Sequence, residues 1–538
     1  MKSIYIIRYT TLLFVFSLFT FNSFSQYSDP DGPGYGENCT TIMVGRLAST
    51  DGSVMTSHTC DGNYRTWLEI YPHQVHEKGS MHPVYWGMLH SEQKGDMTNV
   101  SKKGEIPEAA ETYSFLNTAY PCMNEKQLAI GETTIYGRKE LINEEGMFLI
   151  EELEKIALQR CTSARQAIAL IGKLAEEYGY GDLAECITIA DPKEVWQFEI
   201  AGSGKDSKPS AIWCAQRIPD DNVGICANIP RISTIDFNDP DNFMFSTDLQ
   251  KTAKKLGYWD GKEPLKFWKV IGGSKPFQIR EFYVLSTLAP SLNLSFDAEE
   301  LPFSVKPEKK LSPRDLMRYF RETYEGTQWD MTKNLFVTVK EKDKDGNETE
   351  KKIKSPVANN WMNADIRNLL NELHPGIVER QRTIAIAGCS YSHVIQCRSW
   401  LPDEIGGVAW FSFDNPGESP RIPIFAGVTS LPSSFGICGQ QRYRTDAAIW
   451  SFREANRLST VNWSKAKPII EPAVEELENK AFEELPMIEQ KASEMIKAGK
   501  NDDARKYLTS YTNSFAGAAM SRWQEIKATL WGMFGRGF

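Results

Sequence analysis

The hydrophobic pattern of the chain changes period several times. Residues 11–20 (TLLFVFSLFT) are mostly apolar, follow Lys2 and Arg8, and lead into small residues near Ser25. Positive, then apolar, then small is the order of a secretory signal peptide, expected here over residues 1–25. The run is shorter than the ~20 residues that a membrane span needs. No later run reaches that length, so no stable membrane insertion is expected after signal removal. Residues 26–38 (QYSDPDGPGYGEN) hold turn formers and almost nothing to bury, which predicts a short propeptide. Cys39–Gly45 (CTTIMVG) then turns abruptly β-branched and apolar and predicts a buried strand.

Farther on, Ala164, Ala167, Ile168, Ile171 and Leu174 recur at helical spacing behind Thr162, the expected N-cap. Residues 195–200, 211–214 and 223–227 predict successive strands. Residues 231–330 read as mostly helix and loop, with Ser312–Pro313 as a clear helix start. Residues 336–339 and 350–354 flank Asp345–Gly346 and predict an exposed hairpin. Strands are expected again at Thr383–Ala387 and Val408–Phe413. From about residue 466 the pattern is helical, with an amphipathic run over Val474–Lys497. No internal repeat is visible.

Composition changes this picture little. A 538-residue chain with 41% hydrophobic and 24% charged residues has ample material for a packed core. A net charge of −9 offers no basic excess to neutralise phosphates, so nucleic acid is not expected as a partner. Ten cysteines are scattered without framework spacing, and several, such as Cys226, lie in apolar runs that predict small buried hydrophobes.

Most catalytic signatures are missing. No H-E-x-x-H or G-x-S-x-G occurs; Gly388–Ser392 (GCSYS) lacks the closing glycine, and Gly202–Lys205 (GSGK) lacks phosphate-loop spacing. His73, His76 and His82 lack an acidic or cysteine partner at zinc spacing and read as surface-loop residues. Cys39 remains. A thiol at the start of a mature chain carries its own base, because a free α-amine has a pKa near 8, about two units below lysine. The turn-rich segment before it is the kind of exposed peptide whose removal would free that amine.

Residues 38–53 (NCTTIMVGRLASTDGS) resemble the opening of the dipeptidase A family, cysteine N-terminal-nucleophile hydrolases distantly related to penicillin V acylase and bile salt hydrolase. Further resembling blocks, in order, are 123–134 (MNEKQLAIGETT), 217–221 (RIPDD), 227–228, 303–307, 324–327 and 398–408. The resemblance implies an α+β fold, a four-layer αββα sandwich with helical insertions. Its catalytic domain would cover 39–460, followed by a helical C-terminal extension over 461–538. It implies an exported dipeptidase that works through a thioester on Cys39, needs no cofactor or metal, and acts on small peptide partners; a homo-oligomer is left open.

By the same resemblance, Asp61 would hold the amine of Cys39, and Asn228 would donate to the oxyanion. Arg398 would support the nucleophile, and Thr133 would be a second polar site residue. His58 stands where the wider superfamily often carries arginine. Recognition of both dipeptide ends would need an acid, for which Glu132 is the candidate, and a base, for which Arg217 is. Two other readings stay open at this point: an acylase with another pocket, and a secreted binding protein with an inert site.

Overall fold

The computed structural model describes residues 38–535 apart from 93–94, 136, 206–207, 273–274, 343 and 345. The expected signal peptide and nearly all of the expected propeptide, together with Asp345 of the expected hairpin turn, lie outside the described residues. The fold is α+β, built on two large antiparallel sheets of seven and eight strands.

Nine strands carry the argument. They are β1 (Asn38–Val44), β2 (Val54–Asp61), β3 (Ala129–Thr134), β4 (Glu185–Ala190), β5 (Val195–Gly202), β6 (Ala211–Arg217), β7 (Val223–Cys226), β8 (Cys389–Cys397) and β9 (Val408–Phe413). In the seven-stranded sheet β7, β1, β2, β8 and β9 are successive neighbours; in the other, β6, β5, β4 and β3 are. β1 and β2 are buried at every residue, as strands covered on both faces must be.

The two sheets face each other. Thr41 on β1 and Thr188 on β4 meet across the gap at 3.1 Å between hydroxyl oxygens. The approach is close enough that a Cβ added at Gly131 on β3 would fall 2.3 Å from the carbonyl oxygen of Ser57 on β2. Only glycine fits there.

Helices pack against both sheets. α1 (Ile150–Arg160) and α2 (Ala164–Tyr178) precede β4, and α2 packs across β4, β5 and β6. Its N-cap is Ser163, whose side chain accepts from the Gln166 amide. The cap thus sits one residue beyond the expected Thr162, whose hydroxyl bonds Gln166 Oε1 instead. On the seven-stranded sheet, α3 (Ile279–Leu288) packs on β7 and α4 (Pro313–Phe320) on β8. α4 starts as expected, with Ser312 and Asp315 forming a reciprocal capping box.

Residues 336–342 and 348–354 pair as the expected exposed hairpin. α5 (Ala364–Leu373) follows it and buries no residue. The strand expected at Thr383–Ala387 is irregular; the strand is β8, six residues later. α6 (Ala448–Ser459) packs on β9, and two long helices end the fold, α7 (Trp463–Lys497) and α8 (Asn501–Phe534). α7 carries Pro468, Pro472 and Pro486 within it. One hydrophobic core runs from Ile42 to Leu530, so these helices share the core of the sheets. Among the described residues no helix is long and apolar enough to cross a membrane. All ten cysteines are free and buried.

Candidate active site

Register places the first residues of β1 opposite the last of β2: Asn38 faces Asp61, and Cys39 faces Cys60. Cys39 is 1% exposed with Asn38 still attached. Its backbone is held from three sides. The Cys39 N–H donates to Asn228 Oδ1 at 3.0 Å. Its carbonyl accepts from the Thr133 hydroxyl at 3.3 Å and from the Arg280 guanidinium at 2.7 Å.

Asn228 follows β7 in a left-handed conformation, φ +66°, which asparagine tolerates better than most residues. Its N–H donates to Thr133 Oγ1 at 3.1 Å. Oδ1 also accepts from Arg280 at 2.8 Å, so two donors fix the orientation of the side-chain amide. Nδ2 gives one hydrogen to the Thr134 carbonyl at 2.6 Å. A primary amide nitrogen has a second hydrogen, and that one remains for an incoming oxygen.

Arg280 lies on α3 and is 1% exposed. Besides Cys39 and Asn228 it reaches Thr40 Oγ1 at 3.0 Å and the Ala227 carbonyl at 3.1 Å. A guanidinium offers five donors in a rigid fork, which suits it to tie several acceptors together. Its neighbour Glu281 accepts from the Ala227 N–H at 2.8 Å, fixing the segment that presents Asn228. Asp61 is paired with Arg382 at 2.7 Å through Oδ2. Its Oδ1 is buried and receives no N–H or O–H among the described residues.

The thiol side of Cys39 is electrically different. The ligand atoms of Cys39, His58 and Glu132 lie within 4.8 Å of one another, all buried. The His58 Nδ1–H donates to the Glu132 carbonyl at 2.6 Å. Burial pushes the imidazole down to about 4, so it is neutral near pH 7. Burial pushes the Cys39 thiol well above its ordinary value, helped by its hydrogen bond with Cys60 and the charge of Glu132. Burial likewise raises Glu132 and, more strongly, Glu185 beside it on β4. With Asn38 attached, the thiol is held neutral.

Two expected site residues lie elsewhere. Arg398 follows the far end of β8, where Cys397 pairs with Val54, six residues along β2 from Cys60. At ~3.3 Å per residue that is roughly 20 Å from Cys39. Arg398 donates there to the Ile405 and Gly406 carbonyls and ion-pairs with Glu489, so it ties the 398–408 block to α7. Arg217 pairs with Glu194 at 3.0 Å and Asp220 at 2.5 Å. Asp220 receives the Leu47 N–H just past the distal end of β1, which again places the pair far from Cys39. The arginines that reach the candidate site are Arg280 and Arg382. Neither Arg280 nor Arg382 carried a signal in its local sequence.

His73, His76 and His82 do not converge. His73 is clamped between Glu125 at 2.6 Å and Glu111 at 2.8 Å, and His76 bonds Thr112. His82 is buried against Glu108 rather than lying on a surface loop. His73 lines a cleft of about 520 Å³ with Glu111, Tyr113, Glu125, Lys126 and Arg505. No residue around the Cys39 thiol lines it. The cleft is a charged surface feature apart from the chemistry described above.

Residues 38–476 match the profile of the family described as Peptidase family C69. A "Probable dipeptidase" of Latilactobacillus sakei is 25% identical over 413 residues, covering 74% of this chain and 76% of that one. A "Probable dipeptidase" of Salmonella dublin is 27% identical over 418 residues, with 72% and 81% covered. "Dipeptidase A" of Lactobacillus helveticus is 23% identical over 444 residues, with 79% and 82% covered.

Proposed function

The chain belongs to peptidase family C69, and from that premise we propose that it is an exported dipeptidase whose nucleophile is Cys39, freed as the N-terminal residue by removal of the segment before it. The curated relatives named as dipeptidases support the substrate class. The single observation that carries the mechanism is the setting of the Cys39 nitrogen. Asn228 Oδ1 is aimed at it at 3.0 Å, and Arg280 and Thr133 fix the adjoining carbonyl. The facing sheets with helices packed against them fit the four-layer αββα architecture of N-terminal-nucleophile hydrolases.

In this reading the freed α-amine takes the thiol proton, and the sulfur attacks the scissile carbonyl. Asn228, through its uncommitted Nδ2 hydrogen, donates to the oxygen that turns negative, an effect worth about 3–4 kcal/mol in comparable sites. The protonated amine passes its proton to the leaving amine, leaving a thioester on Cys39. Water, deprotonated by the same amine, then releases the acid and restores the thiol. Asp61, held by Arg382, steadies the amine while it is charged.

Glu132 fits the substrate's free amine. In a dipeptide the α-nitrogen lies two bonds, about 2.5 Å, from the carbonyl carbon under attack. A carboxylate within 4.8 Å of the sulfur therefore lies where that ammonium must come. An acylase would need an apolar acyl pocket at the same place, and buried Glu132 and Glu185 disfavour one.

Mass spectrometry of the N-terminus, combined with turnover of free dipeptides, tests the whole reading. The active form should begin at Cys39. An active enzyme still beginning at Gln26 overturns the mechanism.

A further inference from the structure

We propose that Cys39, His58 and Glu132 form a binding site for a soft divalent cation of the Zn²⁺ class, completed by the α-amine that processing frees on Cys39. The inference rests on the reading of Cys39 as an exposed N-terminal nucleophile. Thiolate, imidazole, carboxylate and amine make an S, N, O, N set, and such mixed sets suit four-coordinate zinc. The amine and thiol of one N-terminal cysteine close a five-membered ring on a metal, so two of the four ligands are preorganised on one residue.

The three side chains already converge. Their donor atoms lie within 4.8 Å of one another, and because His58 Nδ1–H is given to the Glu132 carbonyl, the imidazole lone pair open to a metal is the one on Nε2. Tetrahedral zinc with bonds of 2.0–2.3 Å needs donors about 3.3–3.8 Å apart, so a contraction of about 1 Å completes the site. Glu132 Oε2 and His58 Nε2 are both buried and have no hydrogen-bond partner among the described residues. Unpaired lone pairs in a protein interior are costly, and a bound cation removes that cost.

Binding expels the thiol proton and any proton on the amine, so affinity rises with pH. The metal occupies the sulfur lone pair that attacks the substrate and the place where the substrate's ammonium meets Glu132. Zinc is therefore a reversible inhibitor competitive with dipeptide, not a cofactor.

The mature protein, its N-terminus verified by mass spectrometry, is stripped with chelator and titrated with Zn²⁺ by calorimetry and with Co²⁺ by absorption. One equivalent should bind, with a thiolate-to-cobalt charge-transfer band, and zinc inhibition should be relieved by chelator or by excess dipeptide. His58→Asn and Glu132→Gln should each weaken zinc roughly tenfold or more; if one of them fails to fold, the other decides. Zinc affinity unchanged in the folded variants, or a cobalt spectrum without thiolate character, overturns the site. A verified, active dipeptidase that takes no zinc sinks this inference alone, whereas a chain not processed to Cys39 sinks the reading on which it rests.

Discussion

The two ends of β1 and β2 handle charge in different ways. At the distal end, Arg46 and Arg217 meet Asp220, and beyond β8 Arg398 meets Glu489. Each of these cations faces a carboxylate. At the proximal end Arg382 does face Asp61, but Arg280 spends four hydrogen bonds on neutral acceptors, and Glu132, Glu185 and His58 keep buried atoms without partners. Buried polar atoms in folded proteins are nearly always paired. A paired end needs nothing more, whereas an unpaired one is poised for a ligand.

Cys39→Ala should sharpen the comparison most, abolishing turnover while the protein still melts cooperatively; residual turnover in that variant would move the nucleophile elsewhere. Asn228→Ala should lower kcat by roughly 10²–10³. Arg280→Met should lower it as well and also reduce stability, because it strands the Cys39 and Ala227 carbonyls. If Arg280→Met altered stability alone, Arg280 would belong with the distal arginines. Glu132→Gln should cost about 1.5–3 kcal/mol in kcat/KM for free dipeptides, as should acetylating the substrate amine. Faster cleavage of the acetylated form would favour an acylase.

The distal end should respond differently. Arg217→Ala and Arg398→Met should hold kcat/KM within about twofold, since sites far apart rarely couple. Arg398→Met should still lower the melting temperature, because it leaves the partly buried Glu489 unpaired. A tenfold loss of activity in either variant would break the contrast between the two ends.

The smallest effect concerns pH. Burial holds the carboxyls of Glu132 and Glu199 up to about 7 and Glu418 up to about 8. The folded state keeps protons that the unfolded chain loses near pH 4.3. The stability they contribute is full below that value and is lost as pH rises through 7 to 8. His58, pushed down to about 4, acts oppositely but only below its unfolded value near 6.5. The melting temperature should therefore fall from about pH 4.5 to about pH 8, the three carboxyls outweighing the one imidazole below 6.5, then level off, and it should fall less steeply in Glu418→Gln. A flat profile would mean that these acids are solvated.

What was legible in the sequence was local. The β-branched run after Cys39 and the Ser312–Pro313 start carry their signals within a few residues, and both elements form. The central strand β8 was missed because Ser390, Ser392, His393 and Gln396 dilute its hydrophobicity. Their partners are remote: Arg421 donates to Ser392 at 2.5 Å, and Gln396 reaches Asp51 at 3.0 Å. The apolar Thr383–Ala387 run looked more like a strand and forms none, because burial there comes without a ladder. Cys39, Thr133, Asn228 and Asp61 were found by resemblance and are brought together. Arg280 and Arg382 stand 241 and 321 residues from Cys39 and Asp61, beyond the reach of any periodicity.

The missing side chain at Gly131 acts as a spacer gauge. It lets β3 lie against the Ser57 carbonyl, and the next residue along β3 is Glu132. The gap between carboxylate and sulfur is thus set by backbone thickness and not by any flexible contact. A methyl group there, as in Gly131→Ala, would wedge the sheets apart and carry the carboxylate away from the sulfur. Preference for a free amine would fade first, while the thiol kept its full set of backbone restraints.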